Sequence, residues 1–211
     1  VVQANVAGRD LRSVIGDIQA RVGGAIVFPE GYYVEYGGQF ESEQRATQLI
    51  LLLSLAAIVI VFLILYMEFA SFRTALLVMV NLPLSLIGGI VAVAFSSGIV
   101  SIASLVGFIT LFGIATRNGI LLVSHYNHLM DEGRSLEEAV KQGSLERLSP
   151  ILMTALSAGL ALIPLAMAGH KPGNEIQSPM AIVILGGLIS STALNMIVIP
   201  ALYLRFGRRS S

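Results

Sequence analysis

The chain has no cysteine, which excludes disulfides, thiolate catalysis and Cys-type zinc sites. It has little charge. Only 12% of its 211 residues are Asp, Glu, Lys or Arg, about half the roughly 25% usual in a soluble domain. Lys and Arg together number 13, as do Asp and Glu, so no basic or acidic field points to nucleic acid. Catalytic signatures are missing too: there is no G-x-S-x-G, H-E-x-x-H or P-loop pattern. The opening VVQANVAGRD lacks the basic and apolar regions of a signal peptide and starts without Met. The expectation is a chain that begins inside a longer protein.

What is abundant is apolar surface, at 55% of residues. A bilayer core of roughly 30 Å needs about 20 apolar residues in helix. Five stretches qualify: Gln48 to Met67, Thr74 to Phe95, Ser101 to Ser124, Pro150 to Ala168 and Pro179 to Leu204. Pro83, Pro164 and Pro200 lie within them, which membrane bundles tolerate because neighbours or waters re-satisfy the freed carbonyls. Gly88-Gly89 and Gly186-Gly187 are expected where helices pack closely. Arg73, Arg134, Lys141, Arg147, Arg205, Arg208 and Arg209 collect on one side, while the short loops on the other side hold only Lys171. The first side is therefore expected in the cytoplasm, which places residues 1–45 and the loop from His170 to Ser178 outside.

The outer segment reads as strand, helix, strand. Val2, Ala4 and Val6 alternate, as do Tyr32, Val34 and Tyr36. Between them Asp10 can cap a helix carrying Leu11, Val14, Ile15, Ile18 and Val22 on one face and ending at Gly23-Gly24. A turn is expected at Pro29-Glu30-Gly31. About 40 residues cannot enclose a core, so this segment is expected to be the tail of a larger extracytoplasmic domain. Across the membrane, His125 to Ser149 forms a long connection. Ser135 and Glu138 fit a capping box, and Leu136, Ala139, Val140 and Leu148 make an apolar stripe. The pattern predicts a short helix, lying on the membrane surface or serving as an ordinary connector. The fold class is mostly α: a polytopic bundle of five transmembrane helices preceded by the α/β end of another domain.

No acid falls inside a span, and the single deep formal charge is Arg117. It lies seven residues before Ser124, roughly 10 Å from the cytoplasmic end of its helix. An intramembrane Arg costs about 2.5–3.5 kcal/mol on insertion scales. It can pair with a carboxylate, line a polar path or snorkel to headgroups. Asn118 beside it favours a polar site. Thr154 lies four residues after Pro150 on an antiparallel helix at similar depth; its hydroxyl can relay a hydrogen bond or back-bond its own helix. A proton path needs a group titrating near neutral pH, which Arg is not, so the carboxylate is expected from outside these residues. His125 and His128 share a helical face three residues apart, a weak signal for metal ligands.

Three stretches carry a family resemblance: Tyr36-Gly37-Gly38-Gln39-Phe40-Glu41 with Gln44-Arg45-Ala46; Gly113-Ile114-Ala115-Thr116-Arg117-Asn118-Gly119-Ile120-Leu121; and Arg147-Leu148-Ser149-Pro150-Ile151-Leu152-Met153-Thr154. In order along nearly the whole chain, they resemble the C-terminal part of the resistance-nodulation-division (RND) transporters, in their heavy-metal efflux branch. The resemblance implies that residues 1–45 end a periplasmic porter subdomain and that 46–211 hold helices eight to twelve with a cytoplasmic tail. It implies a secondary active transporter, not an enzyme: a homotrimeric bacterial inner-membrane pump exchanging protons for metal cations. Its implied partners are the N-terminal remainder of the transporter, a periplasmic adaptor and an outer-membrane channel. No cofactor is implied. In drug-exporting relatives a Lys stands at the position matching Arg117 and pairs with fourth-helix aspartates, and the position matching Thr154 belongs to the same relay. Arg here implies a permanent counter-charge. Some copper and silver exporters carry an acid in the tenth helix; none stands there in this chain, which leaves zinc, cobalt, cadmium or nickel at least as well supported. The competing readings are export of drugs or lipids by the same architecture and a non-transporting membrane module.

Overall fold

A computed structural model describes residues 2–6, 11–96, 98–169 and 171–207. Asp10, His170, Arg208 and Arg209 lie outside the described residues. Those described form seven helices: α1 Leu11–Ala25, α2 Gln39–Phe69, α3 Phe72–Met79, α4 Asn81–Phe95, α5 Ile102–Asp131, α6 Leu136–Met167 and α7 Gln177–Phe206. The chain divides into two compact units, one ending at Leu52 and one beginning at Leu53.

The first unit contains α1 and the start of α2. Helix α1 buries no residue and runs on through Gly23-Gly24 to Ala25 instead of stopping there. The expected turn is present: the Tyr32 N–H donates to the Pro29 carbonyl (3.1 Å), with Gly31 at φ +89°, a left-handed position that glycine fills without steric cost. The two expected strands do not form. Residues 2–6 and 32–37 take no strand conformation, and no ladder occurs among the described residues. A lone strand leaves its N–H and C=O groups unpaired, and this segment brings no partner strand to either stretch.

The second unit holds five helical passages long and apolar enough to cross a membrane: Phe40–Phe69, Phe72–Phe95, Ile102–Asp131, Leu136–Met167 and Gln177–Phe206. The first of these begins in the first unit. Each overlaps one of the five apolar stretches, but most outrun them, because helix continues past the apolar core into capped polar ends. Ser101 Oγ accepts from the Ser104 N–H at the start of α5 (3.2 Å). At its end, Gly133 (φ +92°) lets the Gly133 N–H reach the Met130 carbonyl and the Arg134 N–H reach that of Leu129, a Schellman closure. Ser135 and Glu138 make the expected capping box.

The connector differs from the expected short surface helix. It is the first part of α6, which continues unbroken through Pro150 and Pro164 to Met167. Ala139 and Val140 of its stripe are buried, while Leu148 is exposed; beside them Gly143 is buried and lies against the Tyr126 ring, where an added Cβ would come within 2.7 Å. The second passage, by contrast, breaks into α3 and α4 at Val80. Pro83 has no N–H for the Met79 carbonyl, so the helical ladder is interrupted there.

Helices α4, α5 and α7 form the centre. The Gly88 and Gly186 backbones touch, each leaving no room for a Cβ on the other, and Gly187 abuts Leu111; the glycine pairs pack as expected. Two apolar clusters result. One joins Leu65 of α2, Val78 of α3, Leu122 and Tyr126 of α5, Val140 of α6 and Ile199 and Tyr203 of α7. The other joins Val93, Leu111, Val183 and Ile184. Between their levels lies a polar layer, with Asn81, Ser85, Ser191 and Asn195 at 0–1% exposure and Thr116 and Thr192 at 7%.

Candidate functional site

Arg117 lies on α5 in an alternating setting. Ala115, Thr116, Asn118 and Gly119 are buried, while Arg117 itself is exposed. It opens onto a groove of about 290 Å³ lined by Val61 and Ile64 of α2 and by Gly113, Thr116, Arg117, Ile120 and Leu121 of α5. The walls are almost wholly apolar. Among the described residues no carboxylate pairs with Arg117. A guanidinium keeps its proton at any accessible pH and carries donors only, so this groove presents a fixed cation with an unfilled demand for acceptors.

The three expected site residues do not converge within this chain. Asn118 is 4% exposed, so it is turned into the helix packing and away from the groove. Thr154 is exposed on α6, and its hydroxyl donates to the Pro150 carbonyl at 2.9 Å. That is the back-bonded arrangement. No α6 residue lines the Arg117 groove.

His125 and His128 both sit beside acids. His125 Nε2 is 2.6 Å from Glu146 Oε2, and Glu146 also accepts from Gln142 Nε2 (2.7 Å). His128 Nε2 is 3.2 Å from Glu132 Oε1. The two rings are 6.5 Å apart, yet among the described residues no three His, Asp or Glu groups gather to hold a metal ion. Instead the His125–Glu146 pair ties α5 to α6. Tyr126 bonds the Ser144 hydroxyl, and Tyr203 donates to Asn127 Oδ1, which joins α7 to the same end.

Sequence reasoning missed the polar layer. The signal was available as Ser191 and Asn195, four residues apart in an apolar helix, and as Asn81 beside Pro83. The helices that bring them together are not all neighbours in sequence.

The chain matches the AcrB/AcrD/AcrF family over residues 1–207. It belongs to that family of transporters. It is 41% identical over 96% of its length to the cobalt-zinc-cadmium resistance protein CzcA of Cupriavidus metallidurans, covering 19% of that protein. It is 43% identical over 99% of its length to the protein HelA of Legionella pneumophila, covering 20% of it. Its fold matches the crystal structure of a heavy metal efflux pump with a TM-score of 0.84 and 38% identity, covering 96% of this chain and 20% of that one. The chain thus spans about a fifth of the relatives it matches, as the three quoted stretches implied. This family member is a C-terminal part of the RND architecture in its heavy-metal branch.

Proposed function

We propose that these residues are the last five membrane helices of a proton-driven pump that exports heavy-metal cations across the cell envelope, with Arg117 as its fixed counter-charge. The observation that carries this reading is the lone guanidinium in an apolar groove, in a chain whose relatives include a cobalt-zinc-cadmium resistance protein. A carboxylate from an upstream helix would face Arg117. Deprotonated, it would pair with the guanidinium; protonated, it would release it. An ion pair held out of water is strong when made and unfavourable when half-made, so protonation would favour one helix arrangement over another. Asn118 and Thr154 would act as hydrogen-bonding neighbours of this relay. The metal ion is substrate, and its ligands would lie upstream.

On this reading residues 1–45 complete a periplasmic porter subdomain. Upstream strands would pair with the stretches from Val2 to Val6 and from Tyr32 to Tyr36. Residues from 46 onward are helices eight to twelve of an inner-membrane homotrimer, their basic ends cytoplasmic, working with an adaptor and an outer-membrane channel. The fragment alone would not transport.

In the full-length protein, Arg117→Ala should abolish metal efflux while expression and trimer assembly stay intact. A metal-uptake and tolerance assay reads this directly. Wild-type export by that variant would refute the counter-charge role.

A further inference from the structure

The polar layer between the two apolar clusters has no part in the Arg117 groove beyond the shared residue Thr116. Its placement follows from the helix register. Helices α4 and α7 run antiparallel: Gly88 meets Gly186, and Ser190 Oγ donates to the Ser85 carbonyl (3.4 Å). Further along, Val78 and Ile199 both lie against Gly119. Asn81 of α4 therefore stands level with Asn195 of α7. Helix α5 runs alongside α7, with Gly107 against Val183, Leu111 against Gly187 and Tyr126 against Tyr203. That register sets Thr116 and Gly119 level with Thr192 and Asn195. Ala115 and Gly119 keep the α5 side small, so polar side chains from α4 and α7 have room.

These side chains are buried and lack partners. Asn81 Oδ1, Thr116 Oγ1, Ser191 Oγ, Thr192 Oγ1 and both amide atoms of Asn195 are shut off from solvent without a hydrogen bond. Asn81 uses its amide on the Ala115 carbonyl (2.8 Å), which fixes its oxygen in the layer. The pattern is not a general habit of this bundle. Elsewhere Thr110 donates to Val106 (3.0 Å) and Thr154 to Pro150 (2.9 Å); within the layer only Ser85 back-bonds its own helix, at Leu82 (2.7 Å). A buried polar group without a partner is destabilising, and a cluster of them on three helices, shut off from solvent, calls for a shared ligand.

We infer that this layer is an internal water-binding site, holding ordered water between α4, α5 and α7. Asn195 decides the chemistry. It offers a donor and an acceptor at once, and a water molecule answers both. An alkali cation would satisfy the carbonyl and hydroxyl oxygens but leave the Asn195 NH₂ facing a positive charge, with no carboxylate in the layer to neutralise it. Buried waters usually make two to four bonds to such groups, and the layer supplies that many.

The test is a cryo-EM map of the full-length transporter in lipid nanodiscs, at a resolution where waters are seen. The expected result is density within hydrogen-bonding distance of the Asn195 amide and of Asn81 Oδ1 or the Ser191 hydroxyl. It should persist when sodium and potassium are replaced by choline. In Asn195→Leu the density should be lost while the Gly88–Gly186 contact stays. Two results would overturn the inference. One is a dry layer in which each amide and hydroxyl has found a protein partner. The other is density that disappears in choline, which would mark a cation site. Should Asn195→Leu fail to assemble, the wild-type maps with and without alkali cations still decide.

Discussion

Helices α5 and α7 on one side, and α2 and α6 on the other, are all apolar enough to span a membrane, yet they meet very different surroundings. The most apolar stretch of α2 has a mean hydropathy of 3.2 and is 6% buried; that of α7 has 2.2 and is 44% buried. Hydropathy therefore does not say which helix lies at the centre. The packed seam is marked by small and polar residues: Gly88, Gly107, Gly119, Gly186 and Gly187, with Asn81, Ser191 and Asn195. The open faces carry bulky ones, such as Leu52, Leu55 and Leu63 on α2 and Leu156 and Leu160 on α6, all more than half exposed. Lipid tails are as apolar as leucine, so helices in a membrane associate through close backbone approach and interhelical hydrogen bonds. Leucine can face lipid or a further helix with little difference in energy, whereas a glycine seam admits only a helix.

The comparison breaks most readily at the seam. Gly186→Leu would drive a side chain into the Gly88 backbone, where nothing flexible can yield. Overpacking of this kind costs about 3 kcal/mol, and the full-length protein should lose its monodisperse peak in size-exclusion chromatography. Leu156→Ala on α6, which removes atoms and forces no clash, should leave that peak unchanged. If the two variants behaved alike, the Gly88–Gly186 approach would not govern assembly.

A second contrast lies within α2. Leu65 is fully buried in the cluster around Tyr126, while Leu55 is 62% exposed. Leu65→Ala should destabilise by about 2 kcal/mol or more, read as thermal unfolding of the purified transporter. A shift below about 0.5 kcal/mol would mean that α2 has no anchored face.

The smallest effect is expected in the loop joining the sparsely buried α6 to the well-buried α7. The Glu175 carboxylate accepts from its own backbone N–H and from that of Gly173, which holds its pKa below the usual 4.5. A depressed carboxylate stabilises the fold above its unfolded pKa, and the contribution fades as pH falls through the folded value. Protection of the Gly173 amide from exchange should therefore drop only below pH 4.5. Glu175→Gln should remove that step.

Much of this was legible beforehand, for physical reasons. Spans declare themselves because apolar runs are long, and the Gly88–Gly186 approach because paired glycines in such runs serve little else. The Ser135–Glu138 cap is a local motif and was readable as one. Less accessible was the continuity of α6 through Pro150. Proline biases a helix to stop, and only tertiary packing of Ala139, Val140 and Gly143 on α5 overrides it. The strands at Val2 to Val6 and Tyr32 to Tyr36 were read from alternation, which proposes a strand but cannot supply its partner. Arg117 was legible as an anomaly, though not the direction it faces, because adjacent residues on a helix point about 100° apart and Asn118 is buried where Arg117 is not. The polar layer escaped because its members are dispersed over three helices and each alone is an ordinary polar residue.

The proposal for Arg117 is tested most directly by the structure of the full-length transporter. The account predicts an Asp or Glu from upstream of these residues within about 4 Å of the Arg117 guanidinium, inside the span. A guanidinium resting among lipid headgroups, with no acid and no polar cavity beside it, would contradict it.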